Sequence, residues 1–208
     1  TFLRRTIPMS TTASRAARRN TPGRLDLIAA PRPGPWARGT FSFPHHSRFM
    51  TTTAPARQPD VGELAPDFTA DSTSGSAVTL SSFRGRKRVL VAFFPLAFTS
   101  TCTAELCDMS EEFDRFTAED VVVLPMSVDS VPTLKEFKAK HGMRVDLSSD
   151  FKRDVSRAYG VLLPERFFST RAYFLIGTDG RIQWRYIEES PGQRRSNQEI
   201  LDAIQATA

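Results

Sequence analysis

The residues that bind metals or staple small proteins are scarce here: two cysteines and three histidines in 208 residues. Two cysteines cannot build a disulfide-dense secreted scaffold, and three histidines leave little for a multi-ligand zinc site. No metal and no other cofactor is expected. Long apolar runs are missing too. None approaches the roughly 18 to 20 residues that span a bilayer, so no membrane is expected as a partner. Internal repeats are absent, Gly85 is isolated, and nothing matches a P-loop or dinucleotide fingerprint. Core material is not scarce: the chain is 40% hydrophobic and 10% aromatic, which excludes wholesale disorder. The length suits one globular domain and a tail.

Acidic residues are almost missing from the first quarter of the chain. Residues 1–59 hold ten arginines, no lysine and one acid, Asp26, a formal +9. Residues 60–208 hold 18 basic and 22 acidic residues, a formal −4, so the net +5 belongs to the tail. A nucleic-acid binder would carry its basic charge as a stripe on the folded body, so no nucleic-acid partner is expected. An Arg-rich, Ser-rich, acid-poor segment without a continuous apolar stretch has the composition of an organelle transit peptide. The expectation is a basic, disordered targeting segment over 1–59 and a folded domain over 60–208. The address is mitochondrial, with a plastid as alternative and the cytoplasm if the chain starts at Met50. His45 and His46 fall in the tail and read as solvated.

From Val61 onward strands alternate with helices. Asp67–Ala70 and Ala77–Leu80 flank a Ser72–Gly75 turn as a short hairpin. Val89–Phe94 and Val121–Leu124 are continuous apolar runs of strand length, as in strands buried on both faces. Between them Leu106, Met109, Phe113 and Phe116 form a helical stripe. Ser130 and Pro132 open another helix, which Gly142 ends, with His141 in its last turn. Asp146–Ser149 reads as a short strand and Phe151–Tyr159 as a short helix. Ala172–Ile176 and Ile182–Ile187 form a hairpin about Asp179-Gly180. Ser196-Asn-Gln-Glu199 is a capping box for the last helix. The fold class is α/β: a three-layer α/β/α sandwich on a mixed central sheet.

Both cysteines lie at one strand-to-helix junction, Phe93-Phe-Pro95-Leu-Ala-Phe-Thr99-Ser-Thr-Cys102-Thr-Ala-Glu105-Leu-Cys107. Positions 102, 106, 109, 113 and 116 share one helical face, which by itself fits a buried packing cysteine. The first turn of a helix, however, offers unpaired N–H groups and the positive dipole end, which favour a nucleophilic thiolate. Thr99 stands three residues upstream, where its hydroxyl can reach back toward the sulfur. Pro95 can cover the site without adding a donor.

Pro95-x-x-x-Thr99-x-x-Cys102 resembles the active-site signature of the peroxiredoxins, and the resemblance runs from about Val61 to the last helix. The run Phe93-Phe-Pro-Leu-Ala-Phe-Thr99 is most similar to the alkyl hydroperoxide reductase E group. A second cysteine five residues on is similar to the peroxiredoxin Q group instead. The resemblance implies a thioredoxin-like fold and a cofactor-free peroxidase whose catalytic residues are Cys102, Thr99, Pro95 and Arg171. In it Arg171 supplies a strand-borne guanidinium that stabilises the thiolate and binds peroxide oxygens. Glu105 matches a carboxylate that orients this arginine, and on its own could be a first-turn acid facing the dipole. Leu96 and Phe98 would wall the pocket. Implied partners are a hydroperoxide, thioredoxin, glutaredoxin or another thiol reductant, and a second copy in a homodimer.

Cys107 is then the candidate resolving thiol. On an intact helix, residues five apart have Cα atoms about 8.6 Å apart, beyond the roughly 7 Å limit for a disulfide. A Cys102–Cys107 bond therefore requires the first turns of the helix to unwind. The competing readings are an external resolving thiol, a redox sensor or relay, and an inactive thioredoxin-fold binding module. A thioredoxin-type oxidoreductase would need a Cys-x-x-Cys, which is absent. Trp184 and Tyr186 alternate along the last strand as surface or interface packing.

Overall fold

The computed structural model describes residues 57–207, so most of the basic segment, including His45, His46 and Met50, lies outside the described residues. Strands β1 (Thr69–Ser72) and β2 (Val78–Thr79) pair antiparallel across the serine-rich turn. Strand β1 lies two residues later than the pattern suggests, and β2 stops before Leu80 because Leu80 opens a 3-10 turn whose Ser81 N–H donates to the Asp67 carboxylate at 2.9 Å. Strand β3 (Arg88–Phe93) leads to α1 (Ser100–Glu111) and α2 (Phe113–Ala118). The single stripe read from the sequence is thus two helices, broken at Glu112, whose φ is −92° and ψ is 17°. Periodicity records the buried face, and that face survives the break: Leu106, Met109 and Phe116 are all buried.

Strand β4 (Val121–Ser127) precedes α3 (Val131–Lys140), capped by the Ser130 side chain with Pro132 in its first turn. His141 follows at its C-terminal end, its ring against Phe137. Strand β5 (Ser148–Ser149) precedes α4 (Asp154–Ala158), which starts three residues later than expected. The cause is local: Arg153 is left-handed at φ 62°, and the buried Asp150 carboxylate accepts the Val155 and Ser156 N–H groups. A hairpin of β6 (Leu162–Leu163) and β7 (Phe168–Ser169) was not legible, since its turn contains no glycine and places Phe167 at φ 58°. Strands β8 (Ala172–Ile176) and β9 (Ile182–Ile187) form the hairpin about Asp179-Gly180, and α5 (Asn197–Ala206) opens on the Ser196–Glu199 capping box.

The seven-stranded mixed sheet has the order β2-β1-β5-β4-β3-β8-β9, with β3 parallel to β4 and antiparallel to β8. Strand alternation divides it into two cores. Leu90, Ala92, Tyr173 and Leu175 face α1, α2, α3 and α5, whereas Val89, Val91, Phe93 and Phe174 face α4 and the 3-10 turn. These are three layers, as the alternation of elements implies. Phe93 pairs with Ala172, so the end of β3 and the start of β8 lie side by side. The Pro95–Thr99 loop and Arg171 therefore share one end of the sheet. Among the described residues, no helix is long and apolar enough to cross a membrane.

Candidate active site

Pro95 is buried and ends β3, and the chain then turns through Leu96, Ala97 and Phe98 into α1. Phe98 takes φ 63°, a left-handed conformation unfavourable for a bulky residue. Thr99 occupies the N-cap of α1 but gives no side-chain cap. Its hydroxyl donates instead to the Leu96 carbonyl at 3.0 Å. This differs from a hydroxyl curled onto the sulfur: the nearby carbonyl accepts its hydrogen bond, and the oxygen keeps its accepting capacity. Cys102 is the third residue of α1 and only 1% exposed, in the core with Leu106 and Met109. The packing requirement of the shared face is met, yet packing does not account for its polar neighbour.

That neighbour is Arg171. With a period of two, Arg171 and Tyr173 project to the face of the sheet that α1 covers. Arg171 is fully buried, and its Nη2 donates to Cys102 Sγ at 3.3 Å. Nη1 pairs with Glu105, Nε donates to the Gln193 carbonyl at 2.8 Å, and Nη2 also donates to the Pro191 carbonyl at 3.1 Å. Glu105 lies three residues beyond Cys102, on the same helical face. It is 2% exposed and stands in the second turn, with no acid in the first turn of α1, so the dipole-facing alternative does not hold. Its other oxygen accepts the Tyr173 hydroxyl. Burial pushes the Tyr173 phenol up to about 12, against the downward pull of Arg171 and the Arg195 N–H. The phenol therefore stays neutral and donating. The buried pair survives desolvation with the help of further hydrogen bonds, three from Arg171 and one to Glu105.

Cys107 meets other surroundings. It is half-buried at the edge of the same core, and both cysteines are free thiols on one unbroken helix. Burial raises its pKa above the ordinary thiol value, and the charges of Glu111 and Asp108 raise it further. The sequence-derived residues Pro95, Thr99, Cys102, Glu105 and Arg171 are gathered at one end of the sheet. Leu96 is half-buried and Phe98 half-exposed in the loop above.

Two features were missed. Tyr173 could have been found from the Arg171-x-Tyr173 spacing on a strand. The carbonyls of Pro191 and Gln193 carry no sequence signal, because any residue supplies a carbonyl. Among the described residues no group of three or more His, Cys, Asp or Glu side chains could hold a metal. Trp184 is half-buried against the core and stacks on Tyr186, which lies beneath the Arg195 guanidinium at 4.3 Å.

The AhpC/TSA family pattern matches residues 61–185. Alkyl hydroperoxide reductase E of Mycobacterium tuberculosis is 36% identical over 149 residues, covering 71% of this chain and 97% of that protein. The chloroplastic 2-Cys peroxiredoxin BAS1 of Hordeum vulgare is 33% identical over 158 residues, covering 71% and 75%. The reduced 2-Cys peroxiredoxin of Plasmodium vivax superposes with a TM-score of 0.65 at 34% identity, over 70% of this chain and 80% of that one. AhpC of Enterococcus faecalis, at 23% identity and a TM-score of 0.67 over 72% and 93%, shares the fold. A buried thiol under a guanidinium, on this sheet and within this match, places the chain in the AhpC/TSA family of peroxiredoxins, as a thiol-dependent peroxidase.

Proposed function

We propose that Cys102 is the peroxidatic thiol and that it reduces hydrogen peroxide and organic hydroperoxides. The observation that carries this reading is the 3.3 Å contact from Arg171 Nη2 to Cys102 Sγ, made by a guanidinium that three other groups hold in place. A fixed cation beside the sulfur costs no reorganisation when charge moves onto the peroxide oxygens. The sulfur attacks the distal oxygen of ROOH, the O–O bond breaks, and RO⁻ takes up a proton and leaves as ROH. The product is a sulfenic acid on Cys102.

Thr99, whose hydroxyl donates to the Leu96 carbonyl, presents an oxygen able to accept the hydroperoxide O–H. The free N–H groups of the uncapped first turn and Arg171 receive the developing negative charge. Pro95, buried just after β3, adds no donor to the site, while Leu96 and Phe98 offer an apolar wall to the organic part of a hydroperoxide.

Cys107 then resolves the sulfenic acid: its thiol displaces water from Cys102, and the two sulfurs form a disulfide. Thioredoxin, glutaredoxin or a similar dithiol returns both to thiols. Residues 1–59 serve as a targeting segment and the catalytic domain spans 60–208. The address is the mitochondrion, in line with the composition of that segment.

The test is intact mass of the reduced full chain, sampled milliseconds to seconds after one equivalent of hydrogen peroxide. Loss of about two mass units, abolished in Cys102→Ser, is expected. A stable gain of about sixteen units at Cys102 removes Cys107 from the cycle and assigns resolution to an external thiol. Oxidation no faster than that of a free cysteine overturns the assignment of Cys102.

A further inference from the structure

The helix that carries Cys102 is held differently from the other long helices of the fold. Ser130 caps α3 and the Ser196–Glu199 box caps α5, but Thr99 makes no side-chain cap on α1. An uncapped first turn frays unless tertiary contacts hold it. Beyond the burial of Ala97 in the core, a hydrogen bond and a ring contact reach the loop ahead of α1, and both come from the β4–α3 segment. The Asp129 carboxylate accepts the Ala97 N–H at 2.8 Å through Oδ2, which also accepts the Ser127 hydroxyl at 2.8 Å. The Asp129 carbonyl accepts the Ser149 hydroxyl at 2.7 Å, which fixes the residue to β5. The second contact is aromatic. The Phe98 ring lies 4.9 Å from the fully buried ring of Phe137 on α3, with Lys140 Nζ 5.6 Å over the Phe98 ring.

Phe98 needs such a hold. At φ 63° and 48% exposed, it keeps a backbone conformation that a phenylalanine leaves readily when nothing opposes it. It directly precedes the N-cap, so rotation at Phe98 redirects the first turn of α1 and moves Cys102 from under Arg171.

We propose that Asp129 and Phe137 form a two-point latch that holds the Pro95–Thr99 loop and the first turn of α1. They are positioning residues for both half-reactions, with opposite effects. Latched, Cys102 lies against Arg171 and reacts with peroxide, but the intact helix keeps it beyond reach of Cys107. Unlatched, Cys102 loses Arg171 and gains access to Cys107. The balance is Cys102–SH plus Cys107–SH plus ROOH giving the disulfide, ROH and water. The latch sets how long the intermediate sulfenic acid persists between the two steps. This inference rests on the proposed roles of Cys102 and Cys107.

The experiment compares the full chain with its Asp129→Ala, Asp129→Asn and Phe137→Leu variants in two measurements. The first is amide hydrogen exchange of the reduced proteins, which does not depend on the chemistry assigned to either cysteine. Asp129→Ala is expected to speed exchange over residues 96–103 about tenfold while α5 is unchanged, because a charge-assisted bond to a backbone N–H is lost. The second is time-resolved intact mass after hydrogen peroxide. Asp129→Ala should slow the gain of about sixteen mass units about tenfold and speed its conversion to a loss of about two. Phe137→Leu should act in the same directions by a smaller factor, and Asp129→Asn, which keeps an acceptor, should stay within about threefold of the parent. A variant that merely destabilises the fold loosens α5 as well and does not speed disulfide formation.

Unchanged exchange over 96–103 in Asp129→Ala overturns the latch, whatever the cysteines do. Faster exchange with both chemical steps slowed, or with neither changed, overturns its role in the reaction. A parent chain that never reacts quickly with peroxide overturns the assignment of Cys102, and with it any role of the latch in catalysis, although the exchange result still stands.

Discussion

Cys102 and Cys107 lie five residues apart on one helix and meet opposite surroundings. Cys102 is buried beneath a guanidinium that Glu105, Pro191 and Gln193 hold in position. Cys107 is half-buried beside Glu111 and Asp108, and its thiol is pushed toward the protonated form. A cysteine's chemistry is thus written in its neighbours, and a helix of three turns is long enough to carry two chemistries. On the proposed roles the difference also orders the reaction: Cys102 cannot reach Cys107 along an intact helix, and Cys107 is a poor nucleophile until the helix opens.

The comparison breaks most completely if the cation is removed. Arg171→Met should lower the rate of peroxide attack by about 10²-fold or more, the effect of losing a preorganised charge-stabilising donor, measured by stopped-flow oxidation. It also leaves Glu105 buried without its cation, which costs about 3–5 kcal/mol of stability by denaturant titration. The double variant Glu105→Gln, Arg171→Met separates the two effects: stability returns in large part, the rate does not. Equal recovery of both would make Arg171 a structural partner of Glu105 and nothing more. Alkylation of Cys107 in the folded single variant should stay within about twofold of the parent, because the neighbours of Cys107 are different ones.

A gentler change acts one step further from the sulfur. Tyr173→Phe removes the hydroxyl that donates to Glu105 and accepts the Arg195 N–H. A buried carboxylate short of a donor costs about 1–3 kcal/mol, read as a lowered denaturant midpoint. Peroxide attack should slow by no more than about tenfold, since Arg171 keeps its two carbonyl partners. Because the phenol sits at about 12 in the fold, its contribution is fully present below the ordinary phenol range near 10 and fades as pH rises from about 10 toward 12. If Tyr173→Phe is as damaging as Arg171→Met, the hydroxyl reaches the reacting atoms through a route other than Glu105.

The central strands, α3 with its Ser130 cap and α5 with its capping box were legible because each rests on local chemistry: apolar runs, caps and an Asp-Gly turn. Pro95, Thr99 and Cys102 were legible as a spaced motif, and Arg171 and Glu105 only through the resemblance which that motif carries. What escaped was made by tertiary contact. The break at Glu112 leaves the apolar face intact, so a hydrophobic pattern cannot register it. The β6–β7 hairpin turns on Phe167 in a left-handed conformation, where no sequence rule favours phenylalanine. Asp129 sits in an ordinary strand-to-helix connection, and only the fold brings its carboxylate to Ala97, 32 residues away in the chain.

The finest test concerns the field at Cys107. Its thiol is held above the ordinary range first by burial, then by Glu111 and Asp108. A group whose pKa is raised by folding supports the folded state below its unfolded value, near 8.5 for a cysteine, and loses that support as pH rises beyond it. Opening of α1 around Cys107 should therefore become easier above about pH 8.5, and disulfide formation should accelerate with it. In a Cys102→Ser chain, the iodoacetamide alkylation rate of Cys107 reports the thiolate directly. Its midpoint should lie above that of the unfolded chain. Glu111→Gln, which removes one exposed charge, should lower the midpoint and raise the rate near pH 8 by about twofold, an effect that shrinks in high salt. A midpoint indifferent to Glu111 and to salt would leave burial as the whole cause, and the protection of Cys107 would then be a matter of packing on the core rather than of charge.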